Sequence, residues 1–551
     1  MKKIMFYAVV LTACFASCNR EEVFTEESDE VLVLPEKKLQ VNEIYSADAA
    51  VSLLRPFGKA LYNAMNESPM LREMIKTKAL EMFNKDYDVL YQFIKNEPVE
   101  NGLTMRQLLL KYVESEESLI EIELRHPTLT IFVPQLPENS FSAELWNTAE
   151  QVPAVAIQTK HGHTPVISRY GFFDENSDEF VIEAGLIPAF PIVVIKDNKW
   201  VVVAQSSRTK YAALDNKNSD VAFDFIDDFF DGSKKEPEVT PRSWVLTPTV
   251  DSKVVEAYNI YQSGDGWQRD YVYYDLAPST LTKKNPLIID GEIVGGIFST
   301  EPVGLLSRDF REVITSFRFS GNHTPALMLW YITNSSEDPT LLPFVANNSP
   351  DVWTSGNYSF KIFAEVATKE TLIPSITQYF LASPKDLFEV SYKPVSYMIS
   401  GIEVILAYSP EVTGFKTKNL DLEFMTWDLA SYATEMKISI TKQNLSQQIT
   451  ASTTSKAEFA GNIGLDLTTQ PPDAKFGLKF GLSGKIEHEN TVTKVTQIED
   501  KELGDVIIHF GDKVVLSQSQ VSLLGIVLPV CQLREYHSGM YSITFVPTRV
   551  Q

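Results

Sequence analysis

Two histidines separated by one glycine, His161 and His163, are the only close pair of histidines in the sequence. On an extended strand, residues two positions apart lie on one face, so both imidazoles could bind one metal ion. Glu183 or Asp178 could supply a third ligand, although no spacing requires it. The alternative is a polar loop ahead of Pro165, which we favour. The sequence therefore predicts no required metal and no cofactor, with His161 and His163 as the candidate ligands.

Two aromatic residues stand beside turn-forming residues. Trp267 follows a Gly-Asp-Gly run at 264–266, and Tyr358 follows Asn357. An exposed aromatic ring on a loop can stack on a sugar or dock a partner protein. Aromatic residues are nevertheless buried more often than not. We name Trp267 and Tyr358 as candidate ligand-binding residues, with core packing as the alternative.

The first residues have the pattern of a secretory signal: a basic start, an apolar run to Leu11, and small residues before Cys18. A cysteine at the cleavage point resembles a bacterial lipoprotein signal. That resemblance implies that Cys18 becomes the first mature residue and carries the lipid. Cys14 is a competing lipid site, but it leaves a shorter apolar core, so the sequence favours Cys18.

Further resemblances indicate where the protein is located. Residues 19–22, Asn-Arg-Glu-Glu, resemble the export signal of Bacteroidota surface lipoproteins, which implies a lipid-anchored position on the outer face of the outer membrane. Three phrases resemble uncharacterised lipoproteins of Bacteroidota, namely residues 82–91, 129–134 and 267–274. These phrases imply a surface or periplasmic lipoprotein, and they imply no activity.

Composition excludes some partners. The chain has 551 residues, a formal net charge of −23, and 44% hydrophobic and 11% aromatic residues, which is typical of a globular protein. An acidic chain repels phosphate backbones, so nucleic acid is not an expected partner. It also repels anionic lipid surfaces, so the predicted lipid must supply the membrane attachment. Once Cys14 is removed and Cys18 is lipidated, Cys531 remains alone, and its apolar neighbours predict a buried thiol.

The N-terminal part of the chain is predicted to be helical after a signal and a tether. Residues 1–17 form the signal peptide, and residues 18–43 form an acidic tether. Residues 44–125 then show apolar residues at three- and four-residue steps, which predicts a small helical domain. Residues 86–94 are predicted to form one of its helices.

From Pro127 the apolar period changes to two, which indicates strands. We predict a β module at 126–228, in which 197–199 forms a hairpin turn, followed by a linker at 229–243. A β-sandwich module at 244–370 and a long-stranded β module at 371–551 complete the chain. The strands predicted in the sandwich module are 270–274, 314–319, 328–332 and 358–363. The expected fold class is multidomain and mainly β, with the helical domain followed by β-sandwich-like modules.

Residues 457–486 have the pattern of a long hairpin. One face of each arm is apolar and the other is small or polar, and Pro471-Pro472 lies in the predicted tip. Each arm approaches the ~9–11 residues that cross a bilayer as a tilted strand. This layout resembles the insertion hairpin of aerolysin-type pore-forming proteins. A hairpin packed in a soluble sandwich shows the same alternation, and we favour that alternative.

Three functions follow from these observations. The favoured one is a lipid-anchored, non-enzymatic binding or assembly module at the cell surface, with a surface glycan or a protein as its partner. The second is a membrane-inserting protein that uses the 457–486 hairpin. The third is an extracellular hydrolase, for which the sequence shows no catalytic motif; a glycosidase needs only two apposed carboxylates, which an acidic chain supplies in excess.

Overall fold

The structure is a computed structural model, and it describes most residues after position 40. The described residues are 41–159, 163–169, 178–203, 222–233, 250–262, 267–275, 277, 287–289, 292–294, 306–321, 323–333, 353–368, 375–399, 402–428, 432–443, 475–478, 490–493, 501–523 and 526–550. The predicted signal peptide, its lipid site at Cys18 and most of the tether lie outside these residues. Those assignments stay predictions.

The first half of the described chain, up to Gly232, contains six α-helices, several of which have clear start signals. For example, the Ser68 hydroxyl accepts the backbone N–H of Leu71 at 3.1 Å just before Pro69 opens a helix. The Thr104 hydroxyl and the Gln107 side chain form a capping box at another. The helices are α1 (Val41–Ala47), α2 (Ala49–Glu67), α3 (Pro69–Glu81), α4 (Tyr91–Ile94), α5 (Met105–Leu110) and α6 (Glu116–Arg125).

Apart from β8, the strands of this half form one large sheet and two small pairs. The large sheet has the order β1-β4-β9-β5-β6-β7, and all its described pairs are antiparallel except β5 with β9. The strands are β1 (Asp88–Leu90), β2 (Pro98–Glu100), β3 (Leu103–Thr104), β4 (Leu129–Phe132), β5 (Ala154–Ile157), β6 (Thr164–Ile167), β7 (Glu179–Ile182), β8 (Ile187–Pro188), β9 (Ile192–Asp197), β10 (Val201–Val203) and β11 (Phe223–Phe225).

One hydrophobic core joins the helices to this sheet. Helix α2 lies against it so closely that a Cβ on Gly58 would stand 2.6 Å from Cδ1 of Ile167. The buried residues Phe57, Leu61 and Ile75 of the helices belong to the same cluster as the strand residues of β4, β5 and β9. The hydrophobic core therefore contains residues from both sides of the domain boundary that the change in apolar periodicity predicted near residue 125.

Two local predictions in this half are wrong. Residues 86–94 were expected to be one helix, but they form β1 and the short helix α4. Strand β1 pairs with β4, so tertiary pairing overrides the helical pattern. Residues 197–199 do not close a hairpin, because β9 pairs with β4 and β5 while β10 pairs with β11.

The second half contains most of the long strands. Its helices are α7 (Ser252–Ile260), α8 (Gln268–Tyr274), α9 (Pro325–Thr333) and α10 (Pro384–Leu387). Its strands are β12 (Leu287–Ile289), β13 (Glu292–Val294), β14 (Phe310–Phe319), β15 (Tyr358–Thr368), β16 (Ser375–Ala382), β17 (Phe388–Ile399), β18 (Ile402–Phe415), β19 (Thr417–Met425), β20 (Tyr432–Gln443), β21 (Lys475–Leu478), β22 (Asn490–Thr493), β23 (Lys501–His509), β24 (Val515–Leu523), β25 (Ile526–Leu533), β26 (Glu535–His537) and β27 (Tyr541–Arg549).

Two four-stranded sheets pack face to face in this half. Their strand orders are β19-β14-β27-β26 and β16-β15-β20-β23. Ring centroids of Phe317 in β14 and Phe360 in β15 lie 5.6 Å apart, which is direct aromatic contact between the sheets. The hairpin β17–β18 leaves this sandwich and pairs with β8 of the first half through Ala407 and Tyr408. The protein is mainly β, with several separate sheets and a few helices, as the sequence predicts.

The predicted strands 314–319 and 358–363 are confirmed as parts of β14 and β15, but two others are helices. Residues 270–274 belong to α8, and residues 328–332 belong to α9. Helix α9 is apolar on all sides, and a short apolar run does not distinguish a buried strand from a buried helix. The missed signal is Thr324-Pro325, because the Thr324 hydroxyl accepts the N–H of Leu327 at 3.3 Å and so caps the helix.

Two predicted segments are described only in part. Residues 229–233 of the expected linker pack against the first half: the Phe230 ring stacks on Trp200 at 4.3 Å, and the N–H of Gly232 donates to the carbonyl of Phe83 at 2.8 Å. Of the predicted hairpin 457–486, only β21 lies within the described residues, where it pairs with β22. The arms and the tip otherwise lie outside them.

Cys531 is 9% exposed, so the prediction of a buried thiol is confirmed, and burial raises its pKa. Among the described helices, none combines the length and the apolar character needed to cross a membrane.

Candidate functional site

A cleft lies where the two halves of the molecule meet. It is partly open to solvent. Small-molecule sites occur preferentially at the junctions between domains, which makes this cleft the candidate site. Both halves line it, with Asp86, Tyr87, Phe132, Gln135, Pro137 and Ile187 from the first and Trp353, Gly356, Asn357, Ser383, Pro384, Lys385 and Tyr392 from the second.

Residues 353–357, which precede β15, form the inner wall of the cleft, and we refer to them as the clamp segment. Trp353 is 6% exposed and belongs to the core of the first half, where its indole N–H donates to the carbonyl of Leu186 at 3.1 Å. Gly356 has a φ of +73°, and a Cβ there would stand 2.1 Å from a carboxylate oxygen of Asp86. The turn therefore requires glycine for its conformation and for its closeness to Asp86.

Beneath the clamp segment lie two aspartates and two lysines from the first half. The backbone N–H of Asn357 donates to Asp86 at 3.0 Å. The Lys199 ammonium donates to the carbonyls of Ser355 and Asn357 at 2.7 and 2.8 Å. Lys196 pairs with Asp88 at 2.9 Å, and both side chains are buried. Charged side chains of the first half thus hold the clamp segment by binding its backbone N–H and carbonyl groups.

The environment changes the pKa values of this cluster. Burial and the nearby Asp88 raise the pKa of Asp86, against the opposing effect of the two lysines. Burial lowers the pKa of Lys199 to about 7, and the charge of Lys196 acts in the same direction. The cluster therefore changes its charge near neutral pH, immediately beside the cleft.

The rim of the cleft combines aromatic faces with hydrogen-bonding groups. Tyr87 and Tyr392 are half-buried, whereas Gln135 and Lys385 are exposed. The amide of Gln135 donates to the Tyr87 hydroxyl at 3.0 Å, and that hydroxyl donates to Glu144. The Lys385 ammonium lies 5.7 Å from the centre of the Tyr392 ring. Burial raises the pKa of Tyr392 to about 12.

The histidine pair predicted from the sequence lies elsewhere. His161 is outside the described residues. His163 precedes β6, and its ring nitrogen Nδ1 accepts the backbone N–H of Ala184 at 3.3 Å. That nitrogen is engaged by the protein. Within the ranges that the structure describes, no group of three histidine, cysteine or acidic side chains could hold a metal ion.

Neither of the two predicted aromatic residues is among the described residues that line the cleft. Tyr358 is 4% exposed in the core of the second half, which corrects its interpretation as an exposed ring. Its place at the start of β15 puts its ring between the packed sheets. Trp267 is half-buried at the start of α8, in contact with Trp427 and His509 at ring distances of 5.8 and 5.7 Å. It packs against the second core.

Sequence reasoning missed the cleft because its residues come from distant segments. The nearest signals were Gly356-Asn357, a turn dipeptide, and the acidic pair Asp86 and Asp88 on an apolar run. Neither indicates a partner 158 or 271 positions away, which are the separations of Asn357 from Lys199 and Asp86. No known protein family, curated protein or solved structure matches the chain, so the site must be interpreted from its own geometry.

Proposed function

We propose that the protein is a non-enzymatic binding module of the cell surface and that the cleft between its halves binds a sugar unit of a surface glycan. The observation that supports this best is the rim, where Tyr87 and Tyr392 lie beside Gln135 and Lys385. Aromatic rings pack against the apolar faces of sugar rings, while amides and ammonium groups bond to hydroxyls.

The lining favours binding over hydrolysis. Glycoside hydrolysis requires two carboxyl groups that flank the bond to be broken. Among the described residues that line the cleft, Asp86 carries the one carboxyl group. Its oxygens already accept the backbone N–H groups of Tyr87 and Asn357, each at 3.0 Å. Asp86 therefore positions the clamp segment and is poorly placed to transfer a proton to a ligand.

A glycan array probed with the full chain tests this proposal. We expect binding to a set of related glycans, and about tenfold weaker binding after Tyr392→Ala or Lys385→Ala. Lys393→Ala is the matched control, because Lys393 is exposed one residue along β17 and pairs with Glu411 at 2.8 Å outside the cleft. The proposal fails if no glycan binds, or if the control weakens binding as much as the cleft substitutions do.

A second candidate function is membrane insertion by the residues between β20 and β23. These strands are antiparallel neighbours, with Lys442 opposite Lys501, so the segment 444–500 leaves and re-enters the sheet at the same end. Its sequence contains the alternating arms at 457–486. This arrangement would let the arms extend two adjacent strands into a bilayer.

Dye release from liposomes tests the second function. The chain would be compared with a variant carrying Gly464→Cys and Gly481→Cys, cross-linked and then reduced. We expect release by the reduced form and none by the cross-linked form. If the unmodified chain releases no dye from any lipid mixture at any pH, this function should be abandoned.

A further inference from the structure

The end of the β17–β18 hairpin exposes apolar side chains. We define the hairpin end as residues 396–399 and 402–405. Burial stops just before it, at Val395 (2% exposed) and Leu406 (3%). Beyond that point Met398 is 70% exposed, Ile402 67% and Ile405 48%, which are values normally seen for polar residues.

The register shows that these residues lie on both faces of the hairpin. Tyr397 pairs with Val404, and Met398 pairs with Glu403 on the opposite face. Ile402 therefore shares a face with Val404, whereas Ile405, opposite Ser396, shares a face with Met398. The hairpin end therefore exposes apolar side chains on both of its faces, unlike a strand pair with one apolar face.

This two-sided exposure decides between possible occupants. A partner protein with a flat binding surface would cover one side of the hairpin and leave the other in water. A bilayer surrounds an inserted end on all sides, so apolar residues on both faces are buried together. The extent of insertion is also limited. Four residues at ~3.3 Å each reach about 13 Å, less than half of the ~30 Å hydrocarbon core.

The charges of this region indicate the type of lipid. From residue 394 to residue 410 the sequence contains no lysine or arginine, and it contains one acidic residue, Glu403. The Ser396 hydroxyl donates to Glu403 at 2.5 Å, which offsets part of the cost of placing that carboxylate among headgroups. Without basic residues, the hairpin end has no attraction to anionic lipid.

We infer that the hairpin end of β17–β18 inserts into the interfacial layer of an uncharged or zwitterionic bilayer and serves as a second, non-covalent contact with the membrane. This contact is separate from the cleft. It would fix the orientation of the sandwich at the membrane, because a single flexible N-terminal attachment leaves orientation free.

Site-specific fluorescence tests this inference. An environment-sensitive dye is attached at Met398→Cys in the full chain, with Cys14 and Cys18 replaced by serine and Cys531 left buried. Phosphatidylcholine–phosphatidylethanolamine vesicles containing brominated lipid are then added. We expect a blue shift and quenching of the dye at position 398.

Ile507→Cys supplies the matched control, because Ile507 is equally exposed, at 65%, on β23. Any binding through the N-terminus is common to both labelled chains, so we expect no quenching at position 507. We also expect Ile402→Asp to weaken the vesicle response at position 398 about tenfold or more. Equal quenching at both positions, or none at 398, would overturn the inference. So would a blue shift that appears without vesicles as protein concentration rises, since the occupant would then be a second copy of the chain.

Discussion

Two of the buried charge clusters among the described residues differ in what their charges bind. Beside α8, Arg269 and Glu312 form a two-point ion pair at 2.7 and 3.1 Å, and both side chains are fully buried. The remaining guanidinium N–H groups donate to backbone carbonyls, including those of Phe510 and Asp512 at 3.3 and 3.2 Å. Because the strands around it satisfy this pair, its role is to hold α8 in the sandwich.

The cluster under the cleft binds a segment from the other half instead. Lys199 and Asp86 hold the clamp segment through its backbone, and their pKa values are shifted by burial. The Arg269–Glu312 pair contacts only its own core, so it contributes to stability alone. The cluster under the cleft binds the clamp segment, so the protonation of its side chains affects both the stability of the protein and the shape of the cleft.

The largest expected effect comes from breaking the α8 pair. Arg269→Met leaves the Glu312 carboxylate buried without its partner, and we expect a loss of about 3–5 kcal/mol in the free energy of unfolding. Urea denaturation followed by tryptophan fluorescence measures this loss. The double variant Arg269→Met with Glu312→Leu should recover much of it, because no charge is then left buried. A double variant as unstable as the single one would contradict this explanation.

Asp270 also lies in α8, but its carboxylate, unlike that of Glu312, is not fully hydrogen-bonded. Its Oδ1 has no hydrogen-bond partner among the described residues, and burial raises its pKa to about 7. Between its ordinary value and about pH 7 the folded chain therefore holds more protons than the unfolded chain, so stability falls as pH rises.

We expect Asp270→Asn to stabilise the protein by up to about 4 kcal/mol at pH 8 and by much less at pH 5. Thermal unfolding of both chains at the two pH values measures the difference. A gain of the same size at both would show that the charge of Asp270 is not its cause.

Gly356→Ala tests the steric fit of the clamp segment. The φ of +73° and the closeness of Asp86 both oppose a side chain, so we expect a loss of about 2–3 kcal/mol. Gly102→Ala is the matched control, because Gly102 has a φ of +76° and nothing within 4 Å of a Cβ. It should cost about 1 kcal/mol. Equal losses, measured by urea denaturation, would mean that contact with Asp86 adds nothing.

Lys199→Met gives the smallest expected effect. The pKa of Lys199 is lowered to about 7, so above that pH the unfolded chain holds more protons than the folded chain, and stability rises with pH. Between pH 7 and pH 8 this gain is about 1 kcal/mol. The variant should lack it, whatever its absolute stability. If the stability of both chains rose equally between pH 7 and pH 8, Lys199 would not be the source of the rise.

Sequence patterns were reliable where a residue's partners are local or where its environment is uniform. The alternation at 314–319 and 358–363 identified β14 and β15, and the apolar neighbours of Cys531 identified a buried thiol. The patterns failed where distant segments decide the conformation. Residues 86–94 and 270–274 both carry mixed polar and apolar residues. The conformation of the first depends on pairing with β4, and α8, which contains the second, is held by the ion pair of the preceding residue Arg269 with Glu312.

The sequence by itself determined the mainly β composition of the fold, since strand alternation is a local consequence of which face is buried. It also determined the acidic charge and the lack of a catalytic motif in the chain. Only the tertiary structure decided the cleft, the clamp segment and the exposed hairpin end. The cleft and the clamp segment depend on the contacts of Asp86 and Lys199 with Asn357. The exposed hairpin end depends on where burial stops between Val395 and Met398. Apolar periodicity in a sequence indicates that a residue faces a hydrophobic core, but it does not indicate which core, or which side chains pack against that residue.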